Sequence, residues 1–355
     1  MNLLERTCRE IFPQDSEYRE RAKARLDQLT MPHWALGDIM DLGIDLAGIT
    51  RSMDPPVDRK AIVTMAGDHG VVAEGVSKFP AEVTPQMVYN IMSGGAGINA
   101  LAAQVGADVF VADIGVNYDF KALENNRFFI NRKTAYGTNN IAAGPAMSIA
   151  NARKAVEAGI EIASELSASY DMFGTGDMGI GNTTPSTAIA AAVTGRPVAD
   201  LTGRGTGLDD DQLKRKIATI EKILDVNKPD PENGLDLLAK VGGYEIGGIA
   251  GLILGAASLK KPIVVDGFIS TAGALIAHAI EPFIRDYIIC AHRSVEPGHK
   301  YMQEVLGCKR PLLDLNFRLG EGTGAALAMN VIDAARSVLT KVATFEEAAV
   351  AGADK

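Results

Sequence analysis

Glu321 stands between Gly320 and Gly322 in the run Arg318 to Gly324. A lone carboxylate flanked by glycines, at a predicted strand end just ahead of a predicted helix, has an open path of approach and suits a general base. The plainer alternative is an acid at a helix N-terminus, held there by the dipole. The densest glycine stretch runs from Gly174 to Pro185 and includes Gly176, Gly179 and Gly181. It follows the apolar Tyr170, Met172 and Phe173, which read as a strand. It precedes the helical run from Ser186, with Asn182, Thr183 and Thr184 as capping residues and Pro185 in the first turn. A strand, a glycine turn and a fresh helix N-terminus make an anion site, because backbone N–H groups can approach a ligand closely. A tight turn that only needs positive φ is the alternative.

The same stretch fits G-x-G-x-x-G at Gly174, Gly176 and Gly179, so a nicotinamide-dependent oxidoreductase stays open as a second reading. A dinucleotide unit would want an acid at the end of the next strand, and Asp200 follows no clear strand. A third reading is a non-catalytic nucleotide-binding protein, in which Glu321 would be dispensable. Gly203 to Gly207 forms a second glycine loop with the permissive backbone for phosphate or ribose, followed by Asp209, Asp210 and Asp211 as helix-capping acids. Asp68 and His69 are expected to order a cleft by hydrogen bonds. The five histidines lack the two-His helical spacing of a metal site, and no metal is expected.

The elements that must position these residues alternate. Strands are predicted at 61–65, 109–112, 127–130, 263–265, 287–290 and 312–315. Helices are predicted at 84–105, 147–166, 210–224, 245–259, 270–280 and 322–339. Alternation of this kind means a mainly parallel, Rossmann-like sheet covered on both faces, a three-layer α/β/α domain over residues 59–339. Two helices in residues 1–58, with a short C-terminal helix in 340–355, are expected to form a small helical domain. Polar and glycine residues follow six strands, which predicts one cleft at their carboxyl ends.

Composition narrows the function classes. A net charge of −9 argues against a nucleic-acid binder. Three cysteines without ligand spacing suit a reducing cytosol. The charged N-terminus does not read as a signal peptide, and the stretch from Ile246 to Leu259 is too short to span a bilayer and reads as a buried helix. The expected location is the cytoplasm.

With these pieces in place, the sequence closely resembles the nicotinate-nucleotide:dimethylbenzimidazole phosphoribosyltransferases. The resemblance rests on Gly67 to Val71, Phe79 to Thr84, Gly174 to Pro185, Gly203 to Gly207, Lys240 to Tyr244, Val265 to Phe268 and Leu319 to Gly324. It implies transfer of the phosphoribosyl group of nicotinate mononucleotide to a benzimidazole nitrogen, without a cofactor, by a homodimer. Glu321 matches the family's catalytic base. Asp177, where the family usually carries Glu, and Lys216 match two further polar active-site positions. Substrate contacts are expected from Gly176, Met178, Gly179, Asn182 and Thr183; from Gly205, Thr206 and Gly207; and from Ser294, Leu319 and Gly320. Phe79, Pro80, Gln86 and Met87 fall in the stretch that meets the base.

Overall fold

The computed structural model describes residues 1–205, 207–308 and 310–351. Six strands form one all-parallel sheet: β1 (Lys60–Gly67), β2 (Ala107–Gly115), β3 (Phe129–Asn131), β4 (Met172–Met178), β5 (Ile263–Val265) and β6 (Ile288–Cys290). Their order is β3-β2-β1-β4-β5-β6, so the winding reverses between β1 and β4. The helices are α1 (Leu3–Arg9), α2 (Ser16–Leu26), α3 (Asp38–Thr50), α4 (Val83–Met92), α5 (Gly97–Gln104), α6 (Ile149–Leu166) and α7 (Thr183–Thr194). They continue as α8 (Val198–Leu201), α9 (Asp210–Asn227), α10 (Gly234–Val241), α11 (Tyr244–Ser258), α12 (Phe268–Ile280), α13 (His299–Val305) and α14 (Thr323–Lys341).

β1 is the centre of the sheet and is buried along its whole length. Its side chains alternate: Ala61, Val63 and Met65 enter one apolar cluster, Ile62 and Ala66 the other. This two-sided burial explains why the strand reads as a continuous apolar run. On the first face α11 and α6 meet backbone to backbone, since a Cβ on Gly159 would lie 2.0 Å from the Gly248 carbonyl oxygen and one on Gly251 1.9 Å from that of Val156. On the other face Ile62 fills the slots left by Gly174 and Gly322, where added Cβ atoms would lie 2.4 and 2.5 Å from it. Truncating Ile62 to Ala would cost about 2–5 kcal/mol. A third apolar cluster joins Ala22, Leu26, Leu29, Met40, Ile44 and Ala47 to Leu339 at the end of α14. No helix among the described residues is long and apolar enough to cross a membrane.

Several expected elements differ. The helix expected over 84–105 is two helices, because Gly94 turns left-handed (φ +80°) and Ser93–Ala96 break the run. The strand expected at 312–315 is only a bridge, with Leu313 beside His292. The expected C-terminal helix is a turn over 345–349; residues 352–355 lie outside the described residues. β4 extends through Gly174, Gly176 and Asp177 to Met178, residues read from sequence as loop. Their extended pairing with β1, with Thr64 opposite Gly176 and Met65 opposite Asp177, overrides the turn preference of glycine.

Candidate active site

A cavity of about 380 Å³ lies beyond the carboxyl ends of β4, β5 and β6. That volume suits a small ligand. Of the residues expected to meet substrate, it gathers Phe79, Met87, Asp177, Met178, Gly179, Asn182, Thr183, Gly205, Ser294, Leu319, Gly320 and Glu321. Gly176, Gly207, Pro80, Gln86 and Lys216 are not in its wall, and Thr206 lies outside the described residues. Pro80 and Gln86 face solvent, Gln86 from α4.

Glu321 has φ +62° between Gly320 at +82° and Gly322 at +99°. Three successive left-handed residues explain the flanking glycines. For a non-glycine residue that backbone costs on the order of 1–3 kcal/mol and persists only where surroundings over-determine it. Here they do. The Thr64 hydroxyl donates to the Glu321 carbonyl at 2.8 Å. Gly176 leaves the room, since a Cβ there would sit 2.3 Å from the same carbonyl oxygen. Gly176 is therefore a seat for Glu321. The Glu321 carboxylate accepts the Ile98 backbone N–H at 3.1 Å, at the N-terminus of α5. The break after α4 creates that donor. Burial pushes the Glu321 pKa up, and the Ile98 hydrogen bond pulls against it.

Asp266, at the end of β5, accepts three backbone N–H groups at the start of α14: Gly322 at 3.2 Å, Gly324 at 2.6 Å and Ala325 at 3.1 Å. Burial pushes its carboxyl up to about 7 despite those donors, with Glu321 adding to the rise. Asp177 is raised well above the carboxylate range, first by burial and then by the Asp266 charge; its partner is the Asn182 side-chain amide at 3.0 Å. Asn182 thus serves Asp177 and does not cap α7 with its side chain, as sequence had it; the helix starts without a side-chain cap. Asp209, by contrast, caps α9 in a box with Gln212.

Two parts of the lining differ in chemistry. Phe79, Val83, Met87, Ile180 and Leu319 form an apolar side, with Phe79 and Leu319 still 49% and 58% exposed. The polar part of the lining includes the start of α7, the Gly205 loop, Ser294 and Arg318, which donates to the Gly205 carbonyl. Lys216, buried on α9, reaches Thr183 from behind at 2.7 Å. Burial lowers its pKa to about 8, with Glu296 acting the other way.

The glycines of the densest stretch serve the protein's own packing. A Cβ on Gly179 would lie 2.3 Å from the Gly67 carbonyl oxygen, and one on Gly181, at φ +88°, 2.7 Å from Val72. With Gly174 and Gly176 inside β4, the G-x-G-x-x-G match is a strand and its exit, after the fourth strand in chain order. The dinucleotide reading falls with it, because that fingerprint belongs to a turn after the first strand. Nor do six loops share one cleft: Asp68, His69 and Asp113, at the ends of β1 and β2, are absent from its wall. His69 instead bonds Glu245 at 2.7 Å, and Asp68 accepts the Asn117 N–H at 2.9 Å.

Val83, Ile180, Phe268, Ile269 and Glu296, all in the cavity wall, were not singled out from the sequence; Gly267, His292 and Arg318, also in the wall, and Asp266 beneath it were read only as parts of the strand-end loops that form the cleft. Their strand-end positions after β5 and β6 were a signal for Asp266, Gly267 and His292. His292 Nδ1 and Glu296 Oε2 are buried without a hydrogen-bond partner, and Glu296 Oε2 lies against Gly203, where a Cβ would come within 1.8 Å of it. No cluster of three metal-ligating side chains exists among the described residues.

A phosphoribosyltransferase family model matches residues 11–350. The chain is 66% identical over 355 residues to a nicotinate-nucleotide:dimethylbenzimidazole phosphoribosyltransferase of Desulfotalea psychrophila, covering 100% of both chains. It is 58% identical over 350 residues to the same-named protein of Syntrophotalea carbinolica, with 99% of each covered. The crystal structure of the protein so named from Thermus thermophilus superposes with a TM-score of 0.89 at 42% identity, over 96% of this chain and 100% of that one.

Proposed function

The chain belongs to the nicotinate-nucleotide:dimethylbenzimidazole phosphoribosyltransferase family, and from that premise we propose that it moves the 5-phosphoribosyl group of nicotinate mononucleotide to 5,6-dimethylbenzimidazole or a related base. The products are α-ribazole 5′-phosphate, a precursor of the lower ligand of cobalamin-type cofactors, and free nicotinate. The observation that carries this reading is the placement of Glu321: a buried carboxylate of raised pKa, fixed by a helix N-terminus, in a cavity lined by apolar side chains and by N–H and cationic donors.

In this reading the planar base lies against Phe79, Met87 and Leu319. The 5′-phosphate faces the start of α7 and the Gly205 loop, where Lys216 supports Thr183 and Arg318 adds charge. Met178 and Gly179 at the end of β4, with Gly320 and Asp177, border the ribose, and Ser294 closes the far side. The base nitrogen attacks C1′ as the bond from C1′ to the pyridinium nitrogen breaks. The bonding electrons return to the ring, so nicotinate leaves with a neutral ring nitrogen and needs no acid. C1′ passes through an oxocarbenium-like state and inverts from β to α. Glu321 takes the imidazole N–H proton, a task suited to a carboxylate whose pKa burial has raised. Asp177, raised by burial and by the Asp266 charge and held by the Asn182 amide, borders the sugar.

Incubating the protein with nicotinate mononucleotide and a panel of benzimidazoles, purines and phenols, with products identified by mass, tests the reading. An α-ribazole phosphate mass with stoichiometric nicotinate is expected. No product from any base, with the donor left intact, would sink it.

The homodimer and the cytoplasmic location belong to the same proposal, supported by the resemblance and by composition; light scattering tests the first. A small helical unit of α2, α3 and the chain end is likewise our reading, supported by their separate apolar cluster.

A further inference from the structure

We propose that Asp266 is a positioning residue for Glu321: it clamps the start of α14 from β5 and so sets the left-handed backbone that aims the Glu321 carboxylate into the cleft. The inference rests on the general-base reading of Glu321.

Four contacts hold the Glu321 segment, from four different elements. Thr64 of β1 and Gly176 of β4 fix its carbonyl, and Ile98 of α5 fixes its carboxylate. Asp266 holds the chain on the C-terminal side. One of its oxygens accepts Gly322 N–H; the other accepts both Gly324 and Ala325 N–H. These groups belong to the first turn of α14, which lacks a side-chain cap of its own. Asp266 therefore caps that helix from another strand, satisfying donors that would otherwise be buried without partners. The fit is close: a Cβ on Gly324 would lie 2.7 Å from Asp266 Oδ1 and 2.2 Å from the His292 ring. Asp266 is 1% exposed and is absent from the cavity wall, so it acts through Glu321 and not on substrate.

Asparagine has the same shape but one acceptor atom fewer. Whichever way the amide turns, an NH2 group faces at least one backbone N–H. The carboxylate also acts at a distance, because its charge opposes ionisation of its neighbours. The titratable groups facing it are Asp177 from β4, Glu321 from its loop and His292 from beyond β6, whose Nε2 is 3.8 Å away.

The test is a cycle of the full-length wild type, D266N, E321Q and the double variant, assayed with nicotinate mononucleotide and dimethylbenzimidazole across the acid limb of the kcat profile. D266N is expected to lose about 10- to 100-fold in kcat, the scale of a misplaced catalytic group. Its KM for the donor should stay within about threefold, because the loss falls on the transition state. The double variant should be no slower than E321Q alone, as coupled residues are non-additive. The split between a lowered kcat and an unchanged donor KM, at every pH across the limb, is the readout that a purely structural defect would not give. E321Q slow with D266N at full rate, or losses that multiply in the double variant, would overturn the clamp and leave the base reading standing. E321Q at the wild-type rate would remove both. Should D266N not fold, D266S replaces it in the cycle. Failure of both to fold would make Asp266 a stability residue and reject the assignment.

Discussion

The carboxyl end of the sheet has two halves built from the same residue types to opposite ends. Beyond β1 and β2 two of the three buried acids meet a cationic partner, Glu245 with His69 at 2.7 Å and Asp113 with Lys133 at 3.0 Å, while Asp68 is held by the Asn117 N–H. Burial pulls the His69 pKa down, but the adjacent Glu245 carboxylate more than offsets it and leaves it raised. At the border of this half, between β1 and β4, the strand order reverses, the usual crevice of an open α/β sheet; here His69, Glu245 and the close approach of Gly179 to Gly67 fill it. Beyond β4, β5 and β6, Asp177, Asp266 and Glu321 are equally buried, yet no Lys or Arg pairs with any of them among the described residues. They are held by N–H donors, and all three pKa values rise. Buried charges with partners close a structure. Buried acids without counter-charges, beside a cavity, are groups poised to exchange protons with something that enters.

The sharpest way to break this contrast is Glu321→Gln. It keeps the shape and the Ile98 contact while removing the base, and kcat should fall roughly 10²–10⁴-fold, the usual contribution of a positioned general base. Donor affinity, read by titration calorimetry, should hardly change. In the wild type, activity should rise with pH through a carboxyl pKa above the usual range; that limb should be missing from the variant.

At the closed end the effect should move from rate to stability. Glu245→Ala strands His69 in the interior and should cost about 3–5 kcal/mol, measured by urea unfolding. The kcat per folded molecule should stay within about threefold, as expected for a group that touches no reacting atom. A collapse of kcat in well-folded E245A would erase the distinction between the halves.

Two lysines repeat the comparison on a smaller scale. Lys216→Met removes the support behind Thr183 and should raise the donor KM about tenfold, the worth of a charged hydrogen bond of roughly 1.5 kcal/mol. Lys133→Met unpairs Asp113 and should lower stability with the donor KM intact. Matching steady-state constants for K216M and wild type would place the phosphate elsewhere.

The smallest effect is a slope. Asp177, Asp266 and Glu321 have raised pKa values in the fold, so between the ordinary carboxylate value near 4 and about 7 for Asp266 the folded state holds more protons than the unfolded one. Stability of the ligand-free protein should therefore fall as pH rises through that window. His69 acts in the same direction, its contribution fading as pH passes its raised pKa. Glu347, lowered to about 2 beside Arg25, acts the opposite way, but only at lower pH. Scanning calorimetry of wild type and E321Q should show the shallower slope in the variant.

Local pattern alone determined the layered α/β architecture, the strand cores and the carboxyl-end location of the chemistry, because period and punctuation are properties of neighbouring residues. Glu321 was legible for the same reason: an acid between two glycines is unusual in any context. Lys216 was placed only through the resemblance to a family, since nothing local tells a buried lysine on α9 from its exposed neighbours. The purpose of the glycines was not legible. Gly174, Gly176, Gly179 and Gly181 look like a ligand loop in sequence, and in space they make room for Ile62, the Glu321 backbone, Gly67 and Val72. The donor for the Glu321 carboxylate depends on a helix break more than 200 residues away in the chain. The Asp266 cap depends on β5 lying beside β4. Which acids find a cation and which are left to a ligand is set by distances across the sheet, and electrostatic partners that meet only after folding leave no trace in the spacing of residues along the chain.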